Sequence, residues 1–131
     1  MLNNKSYIIK YNLKNFNLQI ITMNNSYYIY IGDNRMKFEN LILSIPNTFN
    51  KENNKDIIND NKALLPENIS SSLLIEDEIN DSIKILNTFF VSKLKIPIYL
   101  SFNIDDPLII KDSSFISFLE ENILNLLIQK K

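Results

Sequence analysis

The spacing of apolar residues changes near Asp77. It runs at every second residue before that point, and after it at steps of three and four in two stretches with one alternating run between them, which limits what the chain can fold into. Tyr7, Ile9, Tyr11 and Leu13 alternate with mostly polar neighbours, and Phe16, Leu18, Ile20 and Thr22 repeat the pattern. Two half-buried strands joined near Asn15 are predicted. Asn24-Asn25 tolerates positive φ and suits a hairpin turn, so the Tyr- and Ile-rich run Ser26 to Ile31 becomes the third strand of a meander. A shorter strand is expected over Asn40 to Ile45, ending before Pro46. Residues 50–61 are almost wholly polar and read as a flexible loop, followed by a weak strand candidate at Lys62 to Leu65.

Beyond the switch, Ile79, Ile83, Leu86, Phe90 and Leu94 fall on one helical stripe, which predicts a helix from Asp77 to Leu94 that Pro97 stops. Ile96, Ile98, Leu100 and Phe102 alternate as one more strand, and Asp105-Asp106-Pro107 reads as a turn. Asp112 or Ser113 can cap a second helix carrying Phe115, Leu119, Ile123, Leu126 and Leu127 on one face. Strands gathered ahead of helices favour an antiparallel sheet with helices packed on it. The expected class is α+β: a mainly antiparallel sheet of about six strands, sandwich or half-barrel-like, with two packed helices in one domain over residues 1–131. Gly32, the only glycine, stands where the third strand stops and reads as a backbone requirement.

Composition narrows the function. With no Cys and no His there is no disulfide, thiolate nucleophile or imidazole base, and few ways to hold a transition metal. Fourteen Lys and Arg against fifteen Asp and Glu create no overall field for nucleic acid or anionic lipid. The N-terminal residues lack a secretory pattern and no apolar run approaches the roughly 18 residues of a membrane span, so a soluble intracellular protein is expected. The acidic groups Glu76-Asp77-Glu78, Asp105-Asp106 and Glu120-Glu121 read as a helix start, a turn and adjacent helix residues that do not face each other. Six Tyr and eight Phe without an interleaved basic stripe read as sheet and core packing, not as a base-stacking platform. No catalytic residue, cofactor site or metal site is assigned. What remains is surplus apolarity on the helices: Leu124 and Ile128 lie opposite the main stripe of the last helix, and Ile85 and Phe89 flank that of the first. These four residues are the expected partner-binding surface.

Three segments together resemble the proteasome assembly chaperone 4 family. They are Ser26-Tyr27-Tyr28-Ile29-Tyr30-Ile31-Gly32 followed by Asn40-Leu41; Ile98-Tyr99-Leu100-Ser101-Phe102-Asn103-Ile104; and the last-helix pattern Phe115, Phe118, Leu119, Glu120, Ile123. The middle of the chain, from Asn50 to Glu76, departs from the family pattern. The resemblance implies a non-enzymatic chaperone of the cytoplasm, with the nucleus as a second compartment. It would form a heterodimer with a chaperone 3-like subunit and hold proteasome α-ring subunits during 20S assembly. Longin-like or roadblock-like scaffolds of membrane traffic or nutrient signalling share the same coarse pattern and stand as the alternative.

Overall fold

The computed structural model describes residues 3–33, 38, 40–46, 69–75, 81–104, 109 and 111–128. Among these residues there are six strands: β1 (Asn3–Tyr11), β2 (Lys14–Met23), β3 (Ser26–Gly32), β4 (Leu41–Pro46), β5 (Ile69–Ile75) and β6 (Ile98–Asn103). Helix α1 (Asp81–Leu94) lies between β5 and β6, and helix α2 (Ser113–Ile128) follows β6. The strands form one open sheet in the order β1-β2-β3-β6-β4-β5. Every pairing is antiparallel except that of β3 with β6. The α+β class therefore holds.

The first hairpin turns at Asn12-Leu13, three residues before the expected junction near Asn15. Tyr11 pairs with Lys14, and the two residues between them sit at φ 51° and 65°. A two-residue turn with both residues at positive φ matches the right-handed twist of its strands. Asn12 adopts that conformation cheaply. Leu13, which continues the alternation in the sequence, is instead carried to the fully exposed tip. The second hairpin turns at Asn24-Asn25 as expected, with Asn25 at φ 66°.

β5 is a strand that the apolar pattern does not signal, because Ser70, Ser71 and Ser72 break its alternation. The expected loop at 50–61, the strand candidate at Lys62 to Leu65, the first helix's start before Asp81 and the turn at Asp105-Asp106 lie outside the described residues.

β6 inserts between β3 and β4, and its burial shows that position: Ile98, Leu100, Ser101, Phe102 and Asn103 are all buried. The register sets Ile20, Ile29, Leu100 and Ile42 in one row across the sheet and Leu18, Ile31 and Phe102 in the next. Both helices cover this face. From α1, Asn87 Nδ2 donates to Ser44 Oγ at 2.9 Å and to the Ile98 carbonyl at 3.2 Å. From α2, the Phe115 ring meets Tyr11 at 4.9 Å and Phe16 at 5.2 Å between centroids. Helix ends are closed locally. Asp112 Oδ1 accepts from the Ser114 N–H at 2.9 Å, the N-cap bond expected of that residue. At the C-terminus of α1, Lys95 takes φ 63° and its N–H donates to the Val91 carbonyl at 2.7 Å, a left-handed cap.

Candidate functional site

The helices occupy one face of the sheet, and no described helix or strand packs on the other. The row Ile21, Tyr28, Tyr99, Leu43 runs across that open face from β2 to β4, and all four side chains are only half buried. Tyr30 lies in the neighbouring row, while Ile8 and Ile45 mark the flanks, both exposed. A patch of this composition, apolar bodies with phenol tips, is what protein interfaces select and small monomers rarely leave uncovered.

Beside this row, a buried polar network that includes Ser101 and Asn103 of the same face fixes the strands that carry the patch. β4 begins at Leu41, one step short of pairing with Phe102. The Asn40 side chain fills the gap: its Oδ1 accepts from the Phe102 N–H at 2.8 Å and its Nδ2 donates to the Phe102 carbonyl at 2.6 Å. The amide thus reproduces the two bonds of a strand residue. Ser101 Oγ donates to the Asn40 carbonyl at 2.7 Å, and Asn103 Nδ2 donates to Ser101 Oγ at 2.8 Å. Buried polar groups joined in this way hold one arrangement firmly, since any break leaves an unpaired group.

Gly32 belongs to the same region, and its role differs from the expected one. No glycine has positive φ. The Tyr30 ring lies over Gly32, so that an added Cβ would come within 2.6–2.8 Å of the ring's outer atoms. The requirement is for room, and it lets Tyr30 lie along the strand. Tyr28 is tied down as well. Burial raises its phenol above the ordinary tyrosine range, a hydrogen bond with Ser101 opposes the shift, and Tyr30 adds to it. The phenol is therefore neutral at physiological pH and serves as a hydrogen-bonding tip.

The face offers little for catalysis. Its hollow beside β1, lined by Ser6, Ile8, Asn17, Gln19 and Tyr30, is shallow and has no ionisable pair. Among the described residues no three acidic side chains come together to hold a metal ion, and no helix is long and apolar enough to cross a membrane.

Two comparisons bear on what such a face is for. The sequence pattern of the family described as proteasome assembly chaperone 4 matches residues 15–104, more than half of the chain, from β2 through β6. The chain belongs to the proteasome assembly chaperone 4 family. As a member of it, the chain is a non-catalytic proteasome assembly chaperone. A solved structure described as a novel chaperone complex for yeast 20S proteasome assembly contains a chain of similar fold. The TM-score is 0.56 with 11% identity, over 98% of this chain and 93% of that one. No curated protein matches the sequence.

The family motifs now have a physical meaning. Asn40-Leu41 and Ser101-Phe102-Asn103, far apart in sequence, are the two halves of the network beside the tyrosine row, and Gly32 seats the Tyr30 ring next to it.

The structure spreads the four helix residues marked as partner-binding over two environments. Ile85 is 58% exposed and Ile128 is 49% exposed. Leu124 and Phe89 are half buried and pack against the core, Phe89 edge-on to Phe90 with the Lys93 ammonium 5.7 Å from its ring centre. The sheet face is not evident in the sequence, where each tyrosine reads as packing. One signal pointed to it: Tyr28 and Tyr30 alternate with Ile29 and Ile31, so β3 is apolar in both phases, the pattern of a strand covered on both faces.

Proposed function

We propose that this chain pairs with a chaperone 3-like subunit through the open tyrosine face of its sheet, and that the pair holds proteasome α subunits while the α-ring forms, then leaves. The observation that carries the reading is the half-buried row Ile21, Tyr28, Tyr99 and Leu43 on a rigid support with no described element above it. Family membership supports the assembly role, and the yeast protein of similar fold was solved within a chaperone complex. With the sheet face occupied by the chaperone partner, the exposed helix-side residues Ile85 and Ile128, with Phe89 and Leu124 beside them in the sequence pattern, are the proposed contact for α subunits. The setting would be the cytoplasm, with the nucleus as a second compartment.

Co-expression with a chaperone 3-like subunit tests this. The pair should co-elute on sizing. A Leu43→Lys, Tyr99→Lys variant should lose the partner while its own melting midpoint stays near that of the parent, because both side chains point away from the helix-covered core. Undiminished co-elution of a folded variant would overturn the assignment of the face.

A further inference from the structure

The sheet has a second unfilled feature, distinct from its open face: the outer edge of β1. This strand ends the sheet, and among the described residues nothing pairs with its far side. It is nine residues long, contains no proline and pairs with β2 without a bulge. Natural edge strands are usually shortened, bulged, covered or charged, and of these devices β1 shows only the charge of Lys5 and Lys10.

The register identifies which backbone groups the edge presents. A two-residue hairpin with both residues at positive φ closes on a hydrogen-bonded pair, here Tyr11 and Lys14. Bonded pairs then alternate along the strand. Lys5, Tyr7, Ile9 and Tyr11 direct their N–H and C=O groups to β2, whereas Asn4, Ser6, Ile8 and Lys10 direct theirs outward. Side chains alternate in step. Tyr7, Ile9 and Tyr11 lie on the helix side, packed on the core yet half exposed, and Ile8 on the open side is 73% exposed. A further strand would complete the cover on both faces.

Charge states what kind of strand. Residues 1–32 contain Lys5, Lys10 and Lys14 and no Asp or Glu; Asp112, the cap of α2, reaches β1 at its hairpin end, where its Oδ2 accepts from the Tyr11 hydroxyl at 2.9 Å. Lys5 and Lys10 are exposed and bracket the apolar stretch of the edge, one on each face. A second copy of β1, paired antiparallel through these outward groups, sets Lys10 opposite Asn4 or Ser6 and Lys5 opposite Ile9 or Tyr11, with no acid to answer any of the lysines, which disfavours self-pairing and leaves the edge for a strand of opposite charge. We propose that the β1 edge accepts an extended acidic segment of a partner protein by strand addition. The residues opposite Tyr7, Ile8 and Ile9 would be apolar, and those opposite Lys5 and Lys10 would be Asp or Glu. Main-chain bonds from Asn4, Ser6, Ile8 and Lys10 supply the attachment, and the two lysines supply the selection.

The probe is the labelled peptide acetyl-Thr-Glu-Thr-Val-Ile-Val-Glu-Thr-amide, titrated into the full chain by fluorescence anisotropy. Binding is expected. Ile8→Pro, which removes an outward N–H from an edge where proline is tolerated, should weaken it about tenfold or more without loss of the native circular dichroism. A peptide N-methylated on alternate amides should not bind the unmodified chain, a test that stands even if Ile8→Pro fails to fold. Lys5→Glu with Lys10→Glu should transfer preference to the peptide with Lys in place of each Glu. Absence of binding, equal binding by the N-methylated peptide or by folded Ile8→Pro, or an unchanged charge preference would each overturn the proposal. So would a dimer of the chain that Ile8→Pro dissociates, since the edge would then be filled by a second copy.

Discussion

Replacing Asn40 with Ala removes the one side chain that completes the sheet at Phe102. Asn40 is 3% exposed, and Phe102, at 2%, lies in the middle of the sheet. Its N–H and C=O point toward β4, where the Asn40 amide meets both at 2.8 and 2.6 Å. Alanine leaves these two backbone groups buried without partners. At about 1–3 kcal/mol for each such group the loss comes to roughly 2–6 kcal/mol, a large part of the 5–15 kcal/mol by which domains of this size are typically stable. Asn40→Asp gives a finer test. An ionised carboxylate still accepts from the Phe102 N–H but sets its second oxygen against the Phe102 carbonyl, whereas the protonated acid can donate there. The folded-state pKa of that Asp is therefore expected above its unfolded value of about 3.9. Its contribution is fully present below the unfolded pKa and is lost as pH rises through the folded one, so the Asp variant should fall further behind the parent at pH 7 than at pH 4. Urea denaturation followed by circular dichroism measures both, with the slope m checked for constancy. If Asn40→Ala stays within about 0.5 kcal/mol of the parent, the range of a neutral surface change, the bridging role assigned to the amide is wrong.

Three further outcomes follow from particular contacts. Gly32→Ala should shift stability by no more than about 1 kcal/mol, because the strand backbone accepts alanine and only the outer end of the Tyr30 ring must move, yet it should weaken partner binding; unchanged affinity by titration calorimetry would show that the ring's seat is immaterial. Leu13→Gly should stabilise the chain by about 1 kcal/mol in thermal or chemical unfolding, since a fully exposed leucine at φ 65° carries strain and buries nothing. Burial raises the Glu120 carboxyl above its ordinary range, so its ionised form opposes folding at neutral pH. Glu120→Gln should raise the melting midpoint at pH 7 and do so less at pH 4, where the glutamate is already largely protonated; an equal gain at both would refute the desolvation argument.

The sequence foretold the class, both helices and five of the six strands, because each rests on local periodicity. It failed where the deciding force is not local. Leu13 continues a clean alternation, and only closing the hairpin with the correct twist displaces it to the tip. Ser70 to Ser72 form a strand because β4 offers an edge, and their own pattern does not call for one. The insertion of β6 between β3 and β4 depends on long-range pairing. Its trace in the sequence is that Ser101 and Asn103 are small and polar where they must be buried in a network. The helix-side surplus at Ile85 and Ile128 was legible from the helical wheel, while the inward lean of Phe89 and Leu124 depends on where each helix sits on the sheet. The tyrosine face was written in β3 as apolar residues in both phases, a pattern equally compatible with ordinary core packing until the helices are seen to lie on one side alone.

The central claim, that this face joins the chain to another proteasome assembly chaperone, is most directly tested by placing a photo-crosslinking amino acid at position 99 in cells and identifying the captured protein by mass spectrometry. The account predicts a crosslink to a chaperone 3-like subunit from position 99 and none to that subunit from position 85 on the helix side. Capture of trafficking or signalling subunits, or a chaperone crosslink from position 85 with position 99 silent, would contradict it.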